Sequence, residues 1–434
     1  MQKNTVFALS SGSLPSGTAV VRISGPSAFS LFPIIVRKQP VVRTATLVNI
    51  YHPSSFDVLD KGIVITFHKG HSFTGEDIVE LHCHGGVATV DAVLSALSEL
   101  PDFRPAEAGE FSRRAFESGK LDLTELEGLS DLIAAQTDGQ RRLALAQSSG
   151  KLRKLYEGWR EDLVRNRAFV EAEFDFSDED DVPGSVSDQV WEKVRSLQKA
   201  IEDHLFDNRC GEIIREGFKI ALLGPPNAGK SSLLNALAQR DVAIVTDQPG
   251  TTRDVIELQL NIADQLVIVS DTAGLRETDD IVEREGVKRS NLKAEEADLI
   301  LWLQASDQPL SVCPFDHAVM VWTKSDIGLP DLRKNWLTIN TNSNDGLTDL
   351  LAFLQKRLQS LVLSQTDIPM TRARHRTSLL EVTDELSRSL QNDLDGVVRS
   401  EHLRLAADAL GRITGRIDVE DLLDVIFSEF CIGK

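Results

Sequence analysis

Residues Phe218 to Ser232 contain the feature that most constrains how this chain can fold, a short apolar run that breaks into a turn rich in glycine and proline. Within it, Gly224, Gly229, Lys230 and Ser231 fill the pattern G-x-x-x-x-G-K-[ST]. Glycine permits backbone angles that are closed to other residues, so successive N–H groups can turn inward around a phosphate. The pattern therefore predicts a strand, a phosphate loop and a helix. A glycine-rich surface turn beside an exposed lysine is the alternative, and the strand-like and helical patterns on either side disfavour it.

The residues of this loop are suited to hold a nucleotide. Lys230 can offer its ammonium to the β and γ phosphates and Ser231 its hydroxyl to Mg²⁺, while the helix that follows directs its positive dipole end to the same place. We therefore predict nucleotide contacts from one continuous segment, which consists of Asn227, Ala228, Gly229, Lys230, Ser231 and Ser232.

Two segments downstream can complete the phosphate and metal contacts. Gly250 to Asp254 contains Thr252, whose hydroxyl can complete the Mg²⁺ shell. Asp271 to Gly274 follows the apolar run Leu266 to Val269, so it places a carboxylate at a strand end for the metal and a glycine N–H for the γ phosphate. The contacts predicted from this part of the chain are Thr246, Thr251, Thr252, Asp271, Thr272, Ala273 and Gly274.

A third segment, Thr323 to Asp326, follows the apolar run Ala318 to Trp322 and indicates which base is bound. Asp326 can accept both N–H donors of the guanine edge, a bidentate contact that adenine cannot supply. We predict that Lys324 also contacts the nucleotide. One such segment after a strand is most often a turn or a helix cap, whereas three in this order behind a phosphate loop indicate GTP. Thr323 stands where most GTP-binding proteins have asparagine.

Length, charge and cysteine content set wider limits. A chain of 434 residues is long enough for about three domains. Its net charge of −19 argues against nucleic-acid binding over the whole surface, so any RNA contact must be local or shared with a partner. No apolar run reaches the length of a membrane span and no signal-peptide pattern is present, so we expect a cytoplasmic protein without stable membrane association. The four cysteines are far apart, which fits a reducing compartment and no structural zinc: Cys83, Cys210, Cys313 and Cys431.

Residues 1–118 alternate short β-like runs with turns, which predicts a small α/β domain. The predicted strands are Thr5–Leu9, Thr18–Ser24, Gly62–His68 and Ile78–His82, followed by a helix over Val87–Leu100. His82, Cys83 and His84 suggest a metal site, but adjacent side chains of a strand point to opposite faces and cannot converge on one ion.

Long helical patterns occupy residues 119–213 and 357–434, on either side of the predicted GTP-binding domain at 214–356. The stripe Val190, Val194, Leu197, Ile201 and Leu205 predicts a packed helix. The acidic stretch Asp175 to Asp181 predicts a solvated loop between helices. The basic clusters Lys151–Lys154 and Arg372–Arg376 fit either a charged helix surface or a local RNA contact. We therefore predict a multidomain α/β plus all-α protein, with the GTP-binding domain inserted into a split helical domain.

The chain ends in Cys431-Ile-Gly-Lys434. A cysteine four residues from the end suggests prenylation, but glycine and lysine are poor choices at the last two positions of that signal. A thiol in this setting instead suggests a reactive tail placed in a site.

The whole chain resembles the bacterial tRNA-modification GTPase family MnmE, also called TrmE. The resemblance rests on the GTP-binding segments and on four further stretches: VVRISGP at Val20–Pro26, SFTGEDIVELHCHGG at Ser72–Gly86, GEFSRRAFESGKLDL at Gly109–Leu123, and the terminal FCIGK. It implies an N-terminal α/β domain that dimerises and binds 5-formyl- or methylene-tetrahydrofolate, a split helical domain, and an inserted Ras-like G domain whose pairing depends on GTP. It also implies an FAD-dependent partner protein, with which the family adds an aminomethyl or carboxymethylaminomethyl group to carbon 5 of the wobble uridine in certain tRNAs.

The resemblance also assigns roles to single residues. It implies folate contacts at Arg22, Glu80, Lys120 and Lys434, and catalytic roles for Glu283 and Cys431. It further implies a K⁺ ion that takes the place of an arginine finger, with Asn227, Thr246, Gln248 and Thr251 as its ligands. Leu275 occupies the position of the water-orienting glutamine of Ras-like proteins, so another group must position the water. This chain departs from the family pattern at Ser11–Ser16, Glu285 and Asn340-Thr341.

Two other classes of GTPase remain as alternatives. A ribosome-assembly GTPase would leave the N-terminal domain and Cys431 without a purpose. A GTPase that assembles on a membrane or filament is disfavoured by the acidic charge and the lack of a basic amphipathic helix. Folate binding discriminates among the three.

Overall fold

A computed structural model describes residues 4–175, 186–206, 209–244, 256–271, 292–328, 336–362 and 369–417, with residues 423, 426, 427, 430 and 433 of the tail. The chain divides into two compact units, residues 1–130 with 411–434, and residues 131–410. The finer division at residues 118, 213 and 356 stays a prediction. Of the helices so described, none has both the length and the apolar character that a membrane span needs.

The first unit is built on a six-stranded sheet in the order β3-β4-β5-β2-β1-β6, in which only β1 and β6 run parallel. The strands are β1 (Thr5–Leu9), β2 (Ser16–Ser24), β3 (Thr46–Tyr51), β4 (Val58–Phe67), β5 (Ile78–Gly85) and β6 (Phe103–Pro105). Two short turns at Ala28–Leu31 and Phe32–Val36 precede β3, and the helices are α1 (Val87–Ser98), α2 (Glu110–Glu117) and the start of α3 (Leu123–Ala134).

Alternation along the strands explains how this sheet forms. In β2, Val21 and Ile23 are fully buried while Arg22 between them is only partly covered. The apolar face packs on α1, whose Val90, Val93 and Leu97 lie in the same core. In β5, Cys83 is buried and its neighbours His82 and His84 are not, so the expected alternation of these three side chains is observed.

The second unit contains a six-stranded sheet in the order β12-β11-β10-β7-β9-β8, parallel except for the β8–β9 pair. Its strands are β7 (Phe218–Leu223), β8 (Ile256–Ile262), β9 (Gln265–Asp271), β10 (Leu299–Ala305), β11 (Val319–Thr323) and β12 (Leu337–Thr338). The central strands are apolar on both faces, as expected for parallel strands covered by helices. The helices are α4 (Asp138–Ser148), α5 (Lys151–Asp175), α6 (Val186–Leu205), α7 (Cys210–Glu216), α8 (Lys230–Ala238), α9 (Leu347–Val362), α10 (Ala373–Ser389) and α11 (Gly396–Thr414).

Most sequence patterns correspond to observed elements. The predicted strands of the N-terminal region correspond to β1, β2, β4 and β5, and the predicted helix corresponds to α1. In the predicted stripe of α6, Val190, Val194, Leu197 and Ile201 are buried, and Leu205 is partly so. The acidic loop after Asp175 lies outside the described residues.

Helix α4 is anchored to the β8–β9 turn. Ala263 and Asp264 in this turn both have positive φ, 53° and 63°, as a two-residue hairpin of type I′ requires. The turn carbonyl of Asp264 accepts a hydrogen bond of 2.8 Å from the Gly139 amide in the first turn of α4. Thr137 caps the same helix end in a capping box with Gln140. The start of α4 is thereby fixed to the strand that ends at Asp271.

A buried ion-pair cluster joins α2 to the sheet of the first unit. The guanidinium of Arg114, 6% exposed, donates to Glu76 at 2.9 Å and to Glu110 at 2.8 Å. It also donates to the carbonyl of Asn4 at 2.9 Å. Arg104 completes the cluster with two hydrogen bonds to Glu110. Two guanidinium groups thus serve two carboxylates that have little access to water, and Arg114 contacts both of them.

The pKa of Glu110 reflects this setting. Burial on its own would raise the pKa of the Glu110 carboxyl, but hydrogen bonds from Arg104, the Glu107 amide and Arg114 outweigh it, so the pKa lies below its ordinary value. A carboxyl with a lowered folded-state pKa adds stability above its unfolded pKa, and that stability is lost as the pH falls through the folded-state pKa.

We predict that Arg114→Met destabilises the first unit by about 3–5 kcal/mol near neutral pH, because the buried carboxylate of Glu76 loses the guanidinium that it contacts and Glu110 loses one of its two. The measurement is hydrogen exchange of the backbone amides in β1 and β2, which should be about tenfold faster or more. The difference from the unmodified chain should shrink as Glu110 becomes protonated in acid.

The matched control is Arg113→Met, one residue away in α2. Arg113 forms an exposed pair with Glu117 at 3.4 Å, and such pairs contribute about 0–1 kcal/mol. Equal exchange in the two variants would contradict a stabilising role for the buried cluster.

Candidate functional site

The phosphate loop connects the end of β7 to the start of α8, as predicted. Gly224 leaves the strand with φ of 144°, and a side chain there would clash with the backbone carbonyl of Leu303. Gly229 adopts φ of 90° and caps α8. Both glycines are therefore required by the backbone, and α8 directs its N-terminal N–H groups at the loop.

Lys230 lies in the centre of this loop, with only 7% of its surface exposed. Its Nζ donates to the carbonyls of Gly224 and Pro225, both at 2.9 Å. Burial lowers the pKa of the Lys230 ammonium, and the carboxylate of Asp271 partly opposes this. The acceptors of this ammonium among the described residues are carbonyl oxygens, and a buried cation is well suited to exchange these for the charged oxygens of a phosphate.

Ser231 and Asp271 face each other at the same end of the sheet. The Ser231 hydroxyl donates to Asp271 Oδ2 at 2.7 Å. Asp271 is the last residue of β9, so the strand positions its carboxylate beside the helix start. A hydroxyl and a carboxylate oxygen at this separation form a donor set that fits Mg²⁺, which prefers oxygen ligands and keeps the rest of its shell for water and phosphate.

The predicted base-binding segment follows β11 at the same edge of the sheet. Thr323 is buried, and its hydroxyl donates to the carbonyl of Ala228 at 2.6 Å. Lys324 pairs with Asp307 at 2.7 Å, and Asp326 is exposed. Asn340, one of the departures from the family pattern, is buried and accepts hydrogen bonds from the amides of the turn that follows it. The structure thus brings the phosphate and base segments together.

Several predicted site residues lie outside the described residues: Thr246, Gln248, Thr251, Thr252, Thr272, Ala273, Gly274, Glu283, Cys431 and Lys434. Their roles stay predictions.

In the first unit, Arg22 and Glu80 lie side by side. They are register partners on β2 and β5, and two guanidinium nitrogens of Arg22 donate to Glu80 Oε1 at 3.1 and 3.0 Å. The guanidinium also lies 5.5 Å from the ring centre of Phe73 and 5.8 Å from that of Phe111. Sequence reasoning missed both rings, although each lies inside one of the stretches that carry the resemblance.

Lys120 and the tail approach the same part of this unit. The Lys120 ammonium donates to the carbonyl of Gly70, at the start of the turn that contains Phe73. Gly433 of the tail accepts a hydrogen bond of 2.8 Å from the Ser10 hydroxyl, and a side chain on Gly433 would clash with the Leu9 carbonyl. Leu9 is paired with Val21, next to Arg22. Gly433 therefore lies beside β1, which pairs with the strand that holds Arg22.

The basic cluster of α10 is engaged within the second unit. Arg372 donates to Asp131 at 2.9 Å, and Arg376 donates to Glu212 at 3.1 Å. Both arginines are less than a quarter exposed, and His375 between them is fully buried. These contacts favour helix packing over RNA binding for this cluster.

Two domain families match this chain. Residues 5–120 match the domain family described as GTP-binding protein TrmE N-terminus, and residues 123–431 match that described as MnmE helical domain. A protein of Agrobacterium fabrum called tRNA modification GTPase MnmE is 51% identical over 99% of this chain and 99% of its own length. One of Brucella canis with the same name is 48% identical over 99% of this chain and 98% of its own. These matches span both units, and this chain belongs to the MnmE (TrmE) family.

Proposed function

We propose that this chain is a GTPase that modifies tRNA. With a flavin-dependent partner protein, it adds an aminomethyl or carboxymethylaminomethyl group to carbon 5 of the wobble uridine in certain tRNAs. The observation that carries the proposal is the phosphate loop, in which Lys230 is buried beside Ser231 and Asp271, in a chain 51% identical to a protein called tRNA modification GTPase.

GTP binding follows from the geometry of the loop. Lys230 gives up its carbonyl acceptors for the β and γ phosphates, and the amides of the loop and of α8 surround them. Ser231 and Asp271 would hold Mg²⁺, which neutralises charge on the phosphates when it is bound. Asp326 is exposed after β11 at the same edge of the sheet, where its carboxylate would meet the guanine edge.

Hydrolysis needs a cation and a group that orients water. Leu275 cannot orient water, so we assign that role to the carboxylate of Glu283. Asn227, exposed in the loop with φ of 60°, would bind K⁺ together with Thr246, Gln248 and Thr251. A bound K⁺ would supply positive charge to the transferring phosphoryl group, and closure of the segment from Thr246 to Thr251 around it would support G-domain pairing.

The first unit would bind a one-carbon tetrahydrofolate and form the homodimer. Glu80 offers a carboxylate to the aminopyrimidinone edge of a pterin, and Arg22, Lys120 and Lys434 offer cations to its glutamate tail. The rings of Phe73 and Phe111 give the ligand an apolar surface beside Arg22. The position of Gly433 beside β1 supports a location of Cys431 near this ligand. We place the protein in the cytoplasm.

The first test is Lys230→Ala, with Lys219→Ala as the matched control on a partly exposed lysine of β7. Loss of the buried ammonium removes a charge-assisted contact to the phosphates, so GTP hydrolysis and tRNA modification should fail together. The measurements are steady-state hydrolysis and mass spectrometry of tRNA nucleosides from a deletion strain that carries each variant. Unmodified wobble uridines are expected with Lys230→Ala only, and a deletion strain with unchanged uridines would refute the proposed reaction.

The second test compares K⁺ with Na⁺. Hydrolysis should be much faster in K⁺, because a smaller ion cannot satisfy the same oxygens at the same spacing. Asn227→Ala should erase the difference with GTP binding largely intact, whereas Asn235→Ala in α8 should not. Glu283→Ala should retain K⁺-dependent dimerisation, followed by light scattering with GDP and aluminium fluoride, but lose turnover. Equal rates in the two salts for the unmodified chain would exclude the cation role.

The third test is Cys431→Ser, with Cys313→Ser as the control. Serine keeps the shape of cysteine but is far less nucleophilic at neutral pH. GTP hydrolysis should be unchanged while tRNA modification is lost or reduced, and the control should retain both activities. Loss of both activities in Cys431→Ser would instead indicate a structural tail.

A further inference from the structure

Asn227 has an unusual backbone conformation for a residue with a side chain. Its φ of 60° lies in the left-handed region, which asparagine adopts more readily than most residues but still at a cost. Both neighbours of Asn227 have their carbonyl groups bound by side chains from other loops. Gln308 Nε2 donates to Pro226 at 2.9 Å, and Thr323 Oγ1 donates to Ala228 at 2.6 Å.

Thr323 is held firmly where it makes this contact. It ends β11 and is 1% exposed, and its own carbonyl accepts a hydrogen bond of 3.1 Å from the Ser306 amide. The hydroxyl of Thr323 is also 3.4 Å from the Gln304 carbonyl, so the much shorter contact to Ala228 takes its single proton. Gly229 packs against the same side chain.

Gln308 reaches the loop from the other side. It lies in the turn after β10, and this turn is tied to the base-binding segment at two points. Ser306 donates to the carbonyl of Lys324 at 2.6 Å, and Asp307 pairs with the Lys324 ammonium at 2.7 Å. The phosphate loop, the turn after β10 and the base-binding segment therefore form one connected set.

Within the described part of the chain, the side chains that donate to carbonyls of residues 224–229 are Lys230, Gln308 and Thr323. Lys230 must release its two carbonyls to bind phosphate, so the other two donors remain when the nucleotide is present. With the carbonyls on both sides of Asn227 bound by residues outside the loop, the backbone from which its side chain extends is held in place.

We propose that Thr323 and Gln308 are positioning residues that fix Asn227 as a cation ligand, by holding the carbonyl groups of Pro226 and Ala228. The inference rests on the proposed function, in which Asn227 binds K⁺. It also connects the base-binding segment with the cation ligand. Because Thr323 and Lys324 belong to the segment that would bind the base, guanine binding stabilises the same contacts that position the cation ligand.

The experiment uses the full chain with Thr323→Val, Thr323→Ser and Gln308→Met. Valine keeps the shape of threonine without a donor, so the K⁺ concentration for half-maximal hydrolysis should rise about tenfold, as expected for the loss of a buried hydrogen bond. Serine keeps the hydroxyl, so the K⁺ concentration for half-maximal hydrolysis by Thr323→Ser should stay within about twofold of that of the unmodified chain. Gln308→Met should raise it about threefold, since this contact is more exposed. GDP affinity should change less, because Lys230 and Asp326 are intact.

Thr338→Val on β12 and Gln239→Met at the end of α8 are the matched controls, and neither should change the K⁺ dependence. Hydrogen exchange of the amides of residues 227–230 without nucleotide gives an independent measurement, and exchange should be faster in Thr323→Val and Gln308→Met. Equal GTP hydrolysis in K⁺ and Na⁺ by the unmodified chain would refute the cation role of Asn227. Amide hydrogen exchange would still test whether Thr323 and Gln308 hold the phosphate loop. Unchanged exchange and unchanged K⁺ dependence in Thr323→Val would overturn the inference.

Discussion

The close approach of the phosphate loop to β10 is the constraint on which the nucleotide site depends. Gly224 leaves β7 against the backbone of Leu303, where no side chain would fit. The loop consequently lies across the end of β10, within reach of groups that follow β10 and β11. Thr323 and Gln308 can bind its carbonyls only because of this position. A parallel sheet whose strands end at one edge thus supplies the supports of the loop as well as its chemistry.

The elements that were predictable are those whose signal is local. The phosphate loop, the strands before Asp271 and Thr323, and the alternating strands of the first unit all have patterns within about ten residues. Strand β6 has three residues and is defined only by its pairing with β1. The contact between Gln308 and Pro226 joins residues 82 positions apart, and no motif marks a glutamine in a turn.

The sequence also did not indicate which charged side chains would be buried. Arg113 and Arg114 are adjacent in α2, yet one forms a surface pair and the other is enclosed by carboxylates. Only the position of the sheet beneath the helix decides between them. Arg22 and Glu80 were expected to meet a ligand and are paired with each other. A ligand that binds them must therefore replace an existing ion pair, so the net gain in free energy depends on how well its own charges match both groups.

The contact between Ser10 and Gly433 spans 423 positions of the chain. The first unit therefore gains its last contacts only after residues 131–410 have been synthesised. At about 5–20 residues per second, translation of that segment takes tens of seconds. During this time the strands around Arg22 exist on the ribosome without their final partner. The residues of the second unit are contiguous, so this unit can fold as soon as they have been synthesised. The order of synthesis therefore favours a folded nucleotide site before the first unit is complete.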